Sequence, residues 1–326
     1  MKVLGLPDVL RRGYWIAAIA VLPLAALPGT TPATPAPARD TVAVPRGLVT
    51  DHVIVISIDG LRPDAIGKYR AGTLQRLMRE GSYSLEATTI VPSRTLPSHT
   101  SMLTGADLEK HGVTWNSKEM DEHGHVATPT IFAAAKQAGF HTAAFFSKSK
   151  FEHLAVPGTL DHVQAPRGWP GKWSADRTID DAERYLEANL PNLLFVHVGE
   201  PDFVGHFAGW MSTEYGWAVR EADDEIGELL ETAERVFGAG NYTVIVTADH
   251  GGHGRDHGSA DPRDVTIPWI AWGKGVTPGT VLAPGIRTMD TAATALWLLG
   301  VPASDVAVGR PVQQAFAASL SGSTGM

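Results

Sequence analysis

Val53–Ile58 reads VIVISI and is followed at once by Asp59 and Gly60. A short, almost unbroken β-branched run is the pattern of a strand buried on both faces of a parallel sheet. This one ends on a carboxylate. Comparable runs recur at His141–Phe146, Leu193–Val198, Tyr242–Thr247 and Ile267–Trp272. Helical patterns alternate with them at Thr73–Glu80, Pro129–Ala138, Asp176–Leu190 and Glu214–Phe237, with another at Met289–Leu299. The alternation predicts an α/β fold with a mainly parallel central sheet and helices on both faces. Gly112–Thr128 and Val156–Ser174 lack periodicity and are rich in Gly, Pro, Trp and His. They are expected to be loop-rich cap segments over the site.

In open α/β sheets, ligands gather beyond the carboxyl ends of the strands. Asp59 ends the first run, Asp202 follows Leu193–Val198, and Asp249-His250 follow Tyr242–Thr247. Taken alone, Asp59 reads equally well as a turn aspartate before glycine. Asp202 and His206, four residues apart, face one way on a helical turn, as two ligands of one ion or as a surface pair. Asp249–His257 holds three histidines and two aspartates threaded with glycines. It is the most specific segment, because glycine lets the backbone turn sharply enough for neighbouring side chains to converge. His250 and His257 are the expected ligands there, with His253 behind them or facing solvent. Three clusters of carboxylates and imidazoles on one rim are what a two-zinc site requires.

Thr95 lies in Pro92–His99 (PSRTLPSH), where a loop enters a helix. By itself such a threonine is a helix cap. Beside bound cations it becomes a nucleophile, at a helix terminus whose amides and dipole favour a phosphate oxygen. The expectation is therefore a metal-dependent hydrolase of phosphate esters.

The chain has 326 residues, 44% hydrophobic and 19% charged, an ordinary globular composition near the upper size for one core. One catalytic domain is expected over residues 39–326. The net charge is −8, and the basic residues Lys2, Arg11 and Arg12 sit in the leader, so the body is more acidic still. This excludes nucleic acid bound as a polymer and leaves a small phosphate ester as the expected partner. With no cysteine, disulfides, thiolate metal sites and thiol nucleophiles are excluded. So is the cysteine from which classical sulfatases make formylglycine.

Residues 1–38 read as a signal peptide or N-terminal anchor with a Pro/Ala/Thr spacer. Tyr14–Leu27 is apolar and uncharged. As a helix it would span roughly 21 Å at about 1.5 Å per residue, short against a bilayer core of about 30 Å. Pro28–Ala38 cannot pack a core. The expectation is an exported body (periplasmic, extracellular or in the cell envelope), touching a membrane only through an uncleaved anchor. The oligomeric state is left open.

Together these segments resemble the alkaline phosphatase superfamily, specifically its type I phosphodiesterase/nucleotide pyrophosphatase family, over about residues 52–300. The motifs arrive in order: strand-Asp59-Gly60, Thr95–His99 with Leu103-Thr104-Gly105, His111-Gly112 through Asn116, Pro201-Asp202 with Gly205-His206, Asp249-His250-Gly251, and His257-Gly258 before Ile267-Pro268-Trp269. The resemblance implies an alkaline-phosphatase-like fold and two zinc ions. Asp202, His206 and His257 would hold one ion, and Asp59, Asp249, His250 and the Thr95 oxygen the other. It further implies attack by Thr95 on phosphorus through a phosphothreonine enzyme, with Asn116 stabilising the equatorial oxygens. The chain departs from the pattern at Leu96, where an aromatic residue often stacks on a base, and at Arg94, commonly lysine. It also lacks the long insertion many members carry between His250 and His257. A phosphomonoesterase of the same superfamily is the alternative, and a non-catalytic binding protein with this fold the more distant one.

Overall fold

The computed structural model describes residues 49–166 and 174–317; the leader and spacer at 1–38 lie outside them. Eight strands form one sheet: β1 (His52–Ile58), β2 (Ser82–Thr88), β3 (Thr142–Phe146), β4 (His162–Gln164), β5 (Leu193–Val198), β6 (Tyr242–Thr247), β7 (Thr266–Gly273) and β8 (Thr280–Val281). Their order is β4-β3-β5-β1-β6-β7-β2-β8. The pairings from β4 to β6 are all parallel, and β7 runs antiparallel to both β6 and β2. The sheet is mainly parallel, as the apolar runs predict.

Every residue of β3, β5 and β6 is buried, and so is all of β1 after His52. Successive strand residues point to opposite faces, so both faces are covered. Each buried Val, Leu, Ile or Phe contributes roughly 1.5–3 kcal/mol of transfer free energy, which is why the central strands carry so few polar residues. Helices Gly72–Glu80, Ala175–Asn189 and Thr213–Phe237 pack together as one layer; helices Thr95–Thr104, Ile131–Gln137 and Asp290–Leu298 pack together as the other.

Three strands escape the sequence pattern. β2 (SYSLEAT) turns Ser82 and Ser84 inward, where Ser82 Oγ donates to the Thr277 carbonyl at 2.6 Å. A hydroxyl that finds a backbone acceptor can be buried at little cost, so hydrophobic alternation does not mark it. β8 has two residues. β4 corrects the expectation of a loop over Val156–Ser174: the described part of that segment supplies an edge strand paired with β3. Gly112–Thr128 behaves as expected around a short helix at Met120–His123.

Candidate active site

Asp59, Lys148, Asp202, Asp249 and His250 all follow the carboxyl ends of parallel strands β1, β3, β5 and β6. The turn after β1 is tight. Gly60 has φ +72°, and a Cβ there would meet Asp202 Cα at 2.9 Å, so only glycine lets the two aspartates approach. Its carbonyl accepts from Trp210 Nε1 and Tyr215 Oη, each at 2.9 Å. The same indole fills the space at Gly252, where a Cβ would fall 2.2 Å from the Trp210 ring. One tryptophan thereby locks both the Asp59 turn and the histidine loop.

The inner group is Asp59, Asp249 and His250, all fully buried. His250 Nε2 lies 3.3 Å from Asp59 Oδ1 and 3.2 Å from Asp249 Oδ2. The outer group is Asp202, His206 and His257, where Asp202 Oδ1 is 3.3 Å from His206 Nε2 and 3.5 Å from His257 Nε2. His206 follows Asp202 by one turn of helix Glu200–Ala208, which starts at Pro201. His250 and His257 stack at 3.6 Å between ring centroids and join the groups. In each group three ligand atoms lie within 4.8 Å of one another.

The donor set fits bound cations. The buried oxygens Asp59 Oδ1, Asp202 Oδ1 and Asp249 Oδ2 have no hydrogen-bond partner, and they are the oxygens that face the imidazoles. Orphaned buried carboxylate oxygens are rare unless an ion takes them. The imidazoles complement them: Nδ1 donates to the Gly251, Ser93 and Arg255 carbonyls from His250, His257 and His206, at 2.8, 2.8 and 2.9 Å. That contact fixes the tautomer and leaves each Nε2 lone pair facing inward, the arrangement of a metal-ligating histidine. Burial first, then the neighbouring His250, pushes His257 down to about 4, so its ring is neutral and free to ligate. Mixed oxygen and nitrogen ligands suit zinc or a similar divalent ion.

Thr95 opens helix Thr95–Thr104, every residue of which is buried. Its hydroxyls satisfy themselves along the helix, with Thr100 donating to the Leu96 carbonyl at 2.8 Å and Thr104 to the Thr100 carbonyl at 2.6 Å. Thr95 Oγ1 stands 3.4 Å from His250 Nε2. Its carbonyl accepts from His99 Nδ1 at 2.8 Å, and His99 Nε2 accepts from Ser57 Oγ at the same distance. Asn116 accepts on Oδ1 from Leu96 N (2.9 Å) and Lys150 Nζ (3.2 Å), so its amide is left to donate. The loop carrying Asn116 is held by His111, which accepts from Val113 N and bonds Ser101 Oγ. Leu96, next to Thr95, is fully buried and offers no stacking surface. A pocket of about 400 Å³ opens here, lined among others by Thr95, Asn116, Lys148, Lys150, His206 and His257.

All eight residues singled out in the sequence meet at this rim. His253 does not: it turns away to Asp264 Oδ1 at 2.7 Å. Sequence reasoning missed Lys148, whose Nζ bridges Asp59 Oδ2 (2.6 Å) and Asp202 Oδ2 (2.5 Å). It also missed His197, which donates from Nε2 to Asp59 Oδ2 at 2.9 Å while Nδ1 meets Ser147 Oγ at 2.8 Å. Burial acts to raise the Asp59 carboxyl, but Lys148, His197 and His250 together hold it well below the usual carboxylate range. The signal for Lys148 was present, since it follows an apolar strand as Asp59 does.

The sequence signature of the family described as type I phosphodiesterase / nucleotide pyrophosphatase matches residues 53–257. The chain is 26% identical over 252 residues to GPI ethanolamine phosphate transferase 1 of Gibberella zeae, covering 68% of this chain and 24% of that protein. It is 27% identical over 235 residues to bis(5'-adenosyl)-triphosphatase of Xenopus laevis, covering 64% of this chain and 48% of that protein. It spans about a quarter to a half of the length of the curated relatives it matches. Murine ectonucleotide pyrophosphatase/phosphodiesterase 5, solved in complex with AMP, superposes with a TM-score of 0.71 at 17% identity, covering 82% of this chain and 100% of that one. A solved alkaline phosphatase shares the fold at a TM-score of 0.67 and 14% identity.

Proposed function

The chain belongs to the type I phosphodiesterase/nucleotide pyrophosphatase family, and from that premise we propose that it is an exported, two-zinc hydrolase of phosphate esters acting through a phosphothreonine enzyme. The observation that carries the reading is the set of three orphaned carboxylate oxygens facing three anchored imidazoles beside Thr95. Asp202, His206 and His257 would hold one ion, and Asp59, Asp249 and His250, with the Thr95 oxygen, the other. When bound, such ions supply Lewis-acid stabilisation of the charges that develop on the attacking and leaving oxygens.

The chain's own residues do the rest. Helix Thr95–Thr104 fixes Thr95 Oγ1 at the pocket floor for in-line attack on phosphorus. His99 pins the Thr95 carbonyl, which restricts the hydroxyl to one approach. The Asn116 amide donates to an equatorial oxygen, where charge grows in the transition state. Lys148 keeps Asp59 and Asp202 ionised and aimed, and Trp210 holds the turn beneath them. Attack breaks the bond from phosphorus to the ester alcohol, which leaves with a proton; water then cleaves the bond from phosphorus to Thr95 Oγ1, releasing the phosphate product and restoring the hydroxyl.

Export rests on the basic, apolar and Pro/Ala/Thr-rich order of residues 1–38. No helix among the described residues is long and apolar enough to cross a membrane.

Hydrolysis of bis-(p-nitrophenyl) phosphate by zinc-replete protein tests the reading. Thr95→Ala should lower kcat by at least about a thousandfold, as loss of a nucleophile does, and chelation should abolish the rate reversibly. An unchanged rate under either treatment would defeat the proposal.

A further inference from the structure

Asp264 has no accessible surface, yet it lies outside both proposed cation groups. It belongs to the short helix Pro262–Val265, which runs directly into β7, a strand paired on both sides. From that anchored position it takes hydrogen bonds from the beginning, the middle and the end of loop 251–259. Its carbonyl accepts from Gly251 N at 2.8 Å. One carboxylate oxygen accepts from His253 Nδ1 at 2.7 Å; the other accepts from Ser259 Oγ at 2.7 Å and Ser259 N at 3.1 Å. Burial acts to raise the carboxyl, but the bonds from Ser259 and His253 hold it below the ordinary carboxylate value. It therefore stays charged, with both oxygens free to accept.

The loop needs such a clasp. Gly251, Gly252, Gly254 and Gly258 give it little stiffness of its own. His250 precedes it and His257 rides in it, and their rings stack at the site. The approach at its start leaves no slack, since a Cβ at Gly251 would fall 2.1 Å from the Arg263 carbonyl. At its far end the contact carries on to a histidine of the site. Ser259 accepts on its carbonyl from Ser93 Oγ at 2.9 Å, and the Ser93 carbonyl accepts from His257 Nδ1 at 2.8 Å. That last bond turns Nε2 of His257 inward. Asp59 and Asp249 have no such dependence, because they stand on the ends of β1 and β6.

We propose that Asp264 is a positioning residue for the outer cation group, setting through Ser259 and Ser93 where His257 presents Nε2 beside Asp202 and His206. The inference rests on the reading of the two groups as zinc sites and deepens it.

The test measures zinc affinity by chelator competition in wild type, Asp264→Asn, Ser259→Ala and His253→Ala, with urea denaturation of the metal-free proteins alongside. Asp264→Asn keeps the shape but leaves one acceptor oxygen to serve two arms. Ser259→Ala removes the hydroxyl from the arm that leads to Ser93. Each should weaken the outer equivalent by roughly tenfold or more, as loss of an orienting partner does, while the inner equivalent holds. His253→Ala cuts the arm that leads to no ligand and should weaken it less. Lower stability in urea with both zinc affinities unchanged would reduce Asp264 to a structural role and overturn the proposal. Equal weakening of the two equivalents would overturn it as well, and so would a loss in His253→Ala as large as that in Ser259→Ala. Should Asp264→Asn fail to fold, Ser259→Ala decides alone, because it leaves the carboxylate and its His253 bond in place. A wild type that takes up two zinc ions but hydrolyses no ester would bring down the proposed activity only, and the zinc titrations would still judge Asp264. A wild type that takes up no zinc would overturn both.

Discussion

Asp59, Asp249 and His250 expose none of their side-chain surface, whereas His206, in the neighbouring group, exposes 42% of its own. The inner three stand on the ends of β1 and β6, paired strands at the centre of the sheet. The outer three stand on one turn of a short helix and on a glycine-threaded loop. Both groups have the same chemistry, yet one lies wholly inside the core, while the other, with Asp202 and His257 nearly buried, reaches solvent through His206. The inner group should therefore behave as part of the fold and the outer as part of the binding equilibrium, because local opening is cheapest where few apolar contacts oppose it.

The sharpest break would come from Asp59→Ala. It strips Lys148 and His197 of a buried partner, so the metal-free protein should lose about 3 kcal/mol in urea denaturation, along with essentially all ester hydrolysis. Retained stability would mean that the inner group is no more structural than the outer.

His197→Ala removes the imidazole that donates to Asp59 while leaving all six proposed metal-holding side chains in place. Metal affinity at the inner group should fall by roughly 10- to 100-fold, the usual effect of losing an orienting partner, measurable by competition with a chelator. A drop confined to the outer group would contradict the division.

His206→Ala should weaken one metal equivalent while shifting stability by no more than about 1 kcal/mol, as exposed substitutions do. Graded chelation of the wild type should accordingly pass through a one-metal state. Simultaneous loss of both equivalents would merge the two groups into one.

Much of this arrangement was legible in the chain. The apolar runs at Val53–Ile58, Leu193–Val198 and Tyr242–Thr247 mark the central strands because a strand buried on both faces has no polar positions to spare. Asp59, Asp202, Asp249 and His250 stand out together because ionisable residues follow closely on three such runs, where one alone could pass for a turn residue. The Asp202/His206 spacing and the glycines around His250 and His257 are local signals, complete within a few residues.

Tertiary structure alone decided the rest. Ser82 and Ser84 make β2 a strand only once the Thr277 carbonyl and β7 are in place to receive it. Lys148 acquires its role from Asp59, 89 positions away, and from Asp202, 54 away; His197 acquires its own from a carboxylate 138 positions distant. Lysine and histidine in isolation have no preference that announces such partners. The sequence determined which atoms end each strand, because that is a local pattern of hydrophobicity and charge; which of them meet was decided by the order of the strands in the sheet, a long-range outcome of packing both faces at once.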